Sequence, residues 1–148
     1  MDEVKWDWPH TKKWPNFSGA KIDIVKKMFL AGESMNVDNF IRFFTDDALY
    51  QFGNFPIANG PEGIRQASGS FADKDSFLGK VEGVHHHLKN IWEAEPGTLV
   101  VEMEVTYVRH DGKVFTLPCC DVIRFKEDQV KDLRIYMDIM PVFTTHEA

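Results

Sequence analysis

Leu99-Val100-Val101-Glu102-Met103-Glu104-Val105-Thr106-Tyr107-Val108 is the stretch that decides the fold. Leu99, Val101, Met103, Val105 and Tyr107 fall on one face, and Val100, Glu102, Glu104, Thr106 and Val108 on the other. That period of two, sustained so long, predicts an extended strand with one face buried. Asp111-Gly112 then supplies a hairpin turn, and the chain returns as a strand over 114–125. Residues 126–129 turn it again, into a strand over 130–139, and 85–92 supplies a strand ahead of all three.

Upstream the period changes. Ile22, Val25, Met28 and Phe29 share a helical face, and Gly32 is placed to end that helix. Asn36 is positioned to cap a second helix in which Val37, Phe40, Ile41 and Phe44 recur at helical spacing. A short strand is expected over 48–52. Asn59-Gly60-Pro61-Glu62 opens a third helix carrying Ile64, Ala67 and Phe71. Helices followed by a meander of long antiparallel strands make an α+β domain, with the helices on one face of the sheet. A curved sheet closed by helices leaves a conical cavity between them. Ahead of this single domain, residues 1–19 form a separate arm in which Trp6, Trp8, Trp14 and Phe17 alternate with Pro9 and Pro15. Prolines forbid a long helix there, and tryptophans favour packing on the domain, on a second subunit or over the pocket.

Size and composition bound the rest. The chain has 148 residues, enough for one domain with a full core. Its 12 Phe, 4 Trp and 3 Tyr suffice to line an apolar cavity as well as fill that core. Asp and Glu outnumber Lys and Arg 23 to 17 and no basic stripe occurs, so nucleic acid is not an expected partner. No apolar run reaches the roughly 18 residues of a membrane span, and Asp2 and Glu3 stand where a signal peptide is basic. The expectation is a cytoplasmic protein without membrane contact. The only cysteines, Cys119 and Cys120, are adjacent, which excludes a CxxC zinc site or a disulfide framework.

No nucleophile elbow, P-loop, dinucleotide fingerprint or HExxH motif occurs. What remains is a set of polar residues scattered on apolar strands, the pattern of sites that work by burial and tuned acidity. Asp121 shares parity with Cys119, Ile123 and Phe125, so a pocket-facing carboxyl there is desolvated and kept protonated; with the parity reversed it pairs at the surface. In His85-His86-His87, His85 and His87 point one way and His86 the other, so either His85 or His86 is the candidate base. His85 and His87 also have the spacing of two metal ligands, with Asp121 as a third, but nothing specifies a complete set and no metal is expected. Tyr50 and Tyr107 are candidate hydrogen-bond donors. Asp138 groups with Arg134 and Tyr136, opposite Leu133, Ile135 and Met137, and reaches the cavity only if its strand bulges.

This layout resembles the NTF2-like superfamily, and within it the SnoaL-like branch of polyketide cyclases, isomerases and dehydratases, over about residues 20–142. The resemblance is carried by Phe43-Phe44-Thr45-Asp46-Asp47-Ala48, by Asn59-Gly60-Pro61-Glu62-Gly63-Ile64, and by His86 with Asn90. The hairpin from Tyr107 to Pro118 and the closing Arg134-Ile135-Tyr136-Met137-Asp138 continue it. It implies a cone-shaped domain, a curved antiparallel sheet with about three helices on its concave face. Asp121-Val122-Ile123-Arg124-Phe125 is similar to the ketosteroid isomerase strand that begins with an oxyanion-hole aspartic acid. That enzyme's base falls near Phe52 and its tyrosine near Met28, so both groups are missing. The Arg-x-Asp pair of limonene-epoxide hydrolases is replaced by Val105-Thr106-Tyr107. Asp138 is the nearest match to the late-strand acid/base aspartate of SnoaL-type cyclases. His85 resembles the strand histidine of scytalone-dehydratase-like members, seven residues before Trp92-Glu93.

These readings imply a cofactor-independent isomerase, cyclase or dehydratase acting by acid–base chemistry on a bulky apolar molecule, such as a polyketide, terpenoid or other secondary metabolite. The candidate catalytic set is Asp121, His85, His86, Asp138 and Tyr107. The candidate substrate wall is Tyr50, Phe52, Met28, Trp92, Met103, Ile135 and Met137. The alternative is a non-catalytic small-molecule-binding or dimerisation module of the same fold. Val100 and Val108 on the outer sheet face, beside Glu102, Glu104 and Thr106, point to a homodimer through the sheet.

Overall fold

β3 (Val81–Glu95), β4 (Thr98–Arg109), β5 (Val114–Lys126) and β6 (Gln129–Tyr136) form the expected antiparallel meander in the computed structural model, which describes residues 19–146. Leu99, Val101, Met103, Val105 and Tyr107 are each at most 3% exposed, so their face of β4 is the buried one. β1 (Phe44–Phe52) runs parallel to β6, pairing Tyr50 with Leu133 and Phe52 with Ile135, and the two-residue β2 (Ala58–Asn59) edges it. The resulting six-stranded sheet has the order β2-β1-β6-β5-β4-β3.

Among the described residues five helices accompany the sheet: α1 (Ala20–Glu33), α2 (Val37–Ile41), α3 (Gly60–Ser68), α4 (Phe77–Lys80) and α5 (Met140–Thr144). α1 buries Val25, Met28, Phe29 and Ala31 in a core shared with the inner face of β3 to β5. The Asn36 side chain caps α2 by accepting the Asp38 N–H at 3.0 Å. α3 begins at Gly60, where φ is +69° and a Cβ would stand 2.5 Å from the Asp46 carbonyl oxygen. Only glycine accommodates both the left-handed backbone and that approach.

Three local expectations are corrected. α1 runs past Gly32 to Glu33. α2 stops at Ile41, because Phe43 and Phe44 are both 2% exposed and consecutive buried side chains suit a strand entering a core. The Phe43 carbonyl accepts the Val130 N–H at 2.9 Å, which draws this segment onto β6. α3 stops at Ser68, with Gly69 at φ +73°, so Phe71 lies beyond it and is 60% exposed against the His110 ring. The tryptophan arm with Trp6, Trp8, Trp14 and Phe17 lies outside the described residues. Among the described residues no helix is long and apolar enough to cross a membrane.

Candidate functional site

The inner sheet face and the helices enclose a cavity of about 230 Å³. Six phenylalanines line it: Phe29 from α1, Phe40 from α2, Phe52 from β1, Phe55, Phe77 from α4 and Phe143 from α5. Among the described residues the sheet contributes four polar side chains to the wall, each from a different strand: Tyr50, His86, Tyr107 and Asp121. Parity puts them there. Asp121 pairs with Val101 on one side and Ile135 on the other, and Tyr107 pairs with Val84, so all belong to the face that buries the apolar rows.

Asp121 is 3% exposed. Burial pushes its carboxyl from the ordinary 3.8 up to about 7, while the Cys119 thiol, donating to Oδ1 at 3.3 Å, pulls it partly back. The group therefore changes protonation around neutrality, where it serves as either proton donor or acceptor. Burial, with the charge of Asp121 behind it, holds the Tyr50 and Tyr107 hydroxyls well above their usual range, so both stay protonated donors. The Tyr107 hydroxyl meets Met137 Sδ at 3.2 Å, a weak acceptor that a carbonyl oxygen would readily replace. Burial and Asp121 likewise push the Cys119 thiol upward, which argues against a thiolate nucleophile.

His86 enters from β3. Its ring stacks on Phe29 with centroids 4.7 Å apart and planes 25° from parallel. Behind it stands Glu33 at the end of α1, whose side chain is wholly buried. Glu33 Oε1 accepts the His86 backbone N–H at 2.7 Å and lies 3.6 Å from His86 Nδ1. A buried carboxylate beside one ring nitrogen favours the tautomer that carries its proton there and stabilises the imidazolium once formed. Sequence reasoning missed Glu33. The available signal was its place four residues after Phe29 on the buried helix face, where a charged residue needs a partner.

Of the expected catalytic residues, Asp121, His86 and Tyr107 come together on one cavity, and His85 and Asp138 do not. His85 pairs with Thr106 and lies near Val108 on the outer sheet face, because alternate strand residues point oppositely. Asp138 follows the end of β6, is exposed, and accepts the Met140 N–H at 3.0 Å, so its carboxylate is engaged in the turn that leads into α5. Of the expected substrate wall, Tyr50, Phe52 and Ile135 line the cavity. Met137 stands behind Tyr107 rather than on the wall. Met28 (0% exposed) and Met103 (2%) are consumed by the core away from the cavity. Trp92 pairs with Val100 on the outer face and is 50% exposed. Among the described residues no cluster of His, Cys, Asp and Glu is arranged to hold a metal ion.

In fold, the chain is similar to an NTF2-like protein of unknown function from Burkholderia pseudomallei K96243, at 12% identity and TM-score 0.70, covering 86% of this chain and all of that one (100%). It is similar to TerC, co-crystallised with polyporic acid, at 12% identity and TM-score 0.67, over 82% and 94% of the two chains. It is also similar to a SnoaL-like protein from Jannaschia sp. CCS1, provisionally assigned as a polyketide cyclase, at 16% identity and TM-score 0.66, over 93% and 98%. At such identities the likeness is one of fold: the cone-shaped NTF2-like domain. No curated protein matches the chain in sequence. The model of the SnoaL-like domain family matches residues 25–133, which contain the sheet meander up to β6 and Tyr50, His86, Tyr107 and Asp121 of the cavity. The chain belongs to the SnoaL-like domain family.

Proposed function

We propose that the protein is an acid–base enzyme of the isomerase, cyclase or dehydratase type, working without a cofactor on a bulky, mostly apolar small molecule. The observation that carries this reading is Asp121, a carboxyl 3% exposed on the wall of an aromatic cavity, with an acidity pushed to about 7. Burying a carboxyl with no cation beside it and only a thiol donor is destabilising, and groups tuned toward neutrality gather where protons are moved.

The roles follow from the geometry. A substrate carbonyl or hydroxyl at the Asp121 end accepts hydrogen bonds from protonated Asp121 and from the Tyr107 and Tyr50 hydroxyls. As a proton leaves the neighbouring carbon, charge grows on that oxygen, and each positioned donor in such a dry site contributes roughly 2.7–4 kcal/mol to the barrier reduction. His86 is the base, with Phe29 holding its ring and Glu33 stabilising the imidazolium that it becomes. The aromatic wall excludes water and supplies binding energy through apolar contact. A homodimer is part of the same reading. The outer sheet face carries Trp92, Val114 and Tyr136, which are 50%, 59% and 61% exposed. So is a cytoplasmic setting.

The test is α-proton exchange. The protein is incubated in D2O with bulky cyclic ketones, and loss of the α-proton signals is followed by NMR. Exchange by the native chain that is lost in Asp121→Asn is the expected result. Exchange equal in both removes Asp121 from the chemistry. Ketones that bind without any exchange favour the alternative, a small-molecule-binding module.

A further inference from the structure

We infer that the cavity sorts its ligands by charge, accepting an uncharged aromatic molecule and refusing the carboxylate of the same shape. The inference rests on the cavity being a ligand site and deepens that reading by naming the ligand class.

Among the described residues of the wall there is no lysine and no arginine. A carboxylate or phosphate entering an apolar cavity loses several kcal/mol of hydration, and only a fixed cation or several aimed donors restore it. The charged groups that the wall does offer have the wrong sign. Asp121 stands at the buried end, 3% exposed, and the exposed Asp75 stands on the wall near α4. The one wall residue able to become a cation, His86, already has the buried Glu33 carboxylate against it, with Oε1 3.6 Å from Nδ1. The neighbours of Asp121 add no positive charge: Tyr50 comes from β1, Tyr107 from β4 and Cys119 from its own strand, and all three are neutral donors. The hydroxyls around the wall donate to their own backbone, Ser68 Oγ to the Ile64 carbonyl at 2.9 Å and Ser76 Oγ to the Asp73 carbonyl at 2.7 Å, and Asn36, whose Oδ1 accepts the Asp38 N–H at 3.0 Å, offers only a neutral amide. Among the described wall residues an anion thus meets the carboxyls of Asp121 and Asp75 and no lysine or arginine, whereas a ketone of the same outline meets the Tyr50 and Tyr107 hydroxyls and the phenylalanine rings.

The experiment compares 2-acetylnaphthalene with 2-naphthoate, a ketone and a carboxylate of matched shape, by calorimetric or NMR titration at pH 8. The ketone is expected to bind at least tenfold more tightly. Asp75→Lys, an exposed substitution, is expected to raise naphthoate affinity severalfold and so narrow the ketone-to-naphthoate ratio, and Asp121→Asn is expected to narrow it as well. Naphthoate binding within threefold of the ketone overturns the inference, and if ketone α-proton exchange persists in that protein, the catalytic reading survives alone. Binding of neither compound together with no exchange on any ketone overturns both.

Discussion

Replacing Asp121 by Asn is predicted to stabilise the protein, and to do so more at alkaline than at acid pH. The carboxyl is raised from 3.8 to about 7 by burial. A carboxyl raised in the folded state holds its proton more tightly there than in the unfolded chain. Its contribution is therefore most favourable below pH 3.8 and is lost as pH climbs to 7. The full shift, about 3 units at 1.36 kcal/mol each, is a penalty of about 4 kcal/mol at pH 8. At pH 5 the unfolded chain is ionised and the folded one is not, so the penalty is less than half of that. Asn keeps the shape and never ionises, so its advantage over the native chain should widen by about 2–3 kcal/mol between the two pH values. At about 2–4 °C per kcal/mol for a domain of this size, the gap in Tm should grow by about 5–10 °C. Paired thermal melts by circular dichroism at pH 5 and pH 8 measure this, and groups that titrate alike in both proteins cancel. A gap in Tm that is the same at the two pH values, or that shrinks toward pH 8, refutes the buried, raised carboxyl.

Other outcomes follow from named contacts. Glu33→Gln should slow α-proton exchange at least tenfold while ligand affinity changes little, since it removes charge behind His86 without touching the ligand; isotope exchange and titration together check this. Tyr107→Phe removes one donor at the oxygen and should slow exchange by about 10²–10³ at saturating ligand, read as a fall in the maximal rate. Arg109, 2% exposed, donates to Asp111 and to the Val142 and Thr145 carbonyls at 3.0 and 2.6 Å, fastening α5 and with it Phe143 of the cavity wall. Arg109→Met should destabilise the domain by about 1–3 kcal/mol in urea unfolding, because the Val142 and Thr145 carbonyls lose their donor. Light scattering at micromolar concentration should give a dimer mass, and Trp92→Glu with Tyr136→Glu should return it to the monomer.

The sheet was legible because a period of two held for long stretches, and only one register buries Leu99 to Tyr107 as a row. Asp121 was legible for the same reason: its parity tied it to Ile123 and Phe125, both of them buried. The histidine triplet occupies both faces at once, so its parity was readable only through its neighbour on β4, which is what separates His86 from His85. Depth was not legible at all. Met28, Met103 and Ile135 all lie on inner faces, yet only Ile135 borders the cavity, because where a curved sheet parts from its helices depends on packing in three dimensions. The end of α2 was misplaced because Phe44 satisfies helical spacing and strand burial equally, and its pairing with Val130, nearly ninety residues away in sequence, decided the outcome. Asp138 groups with the catalytic candidates by its place in the chain, but β6 ends at Tyr136 and the exposed Asp138 carboxylate accepts the Met140 N–H in the turn into α5.

The most direct measurement is the titration of Asp121 itself. The protein is labelled with 13C at the aspartate carboxyls, the Asp121 signal is assigned by its absence from Asp121→Asn, and its chemical shift is followed by NMR against pH. A midpoint near 7 is the predicted result, moving when a ketone binds. A midpoint at or below 3.8, the ordinary value, would contradict a desolvated acid on the cavity wall and with it the proposed chemistry.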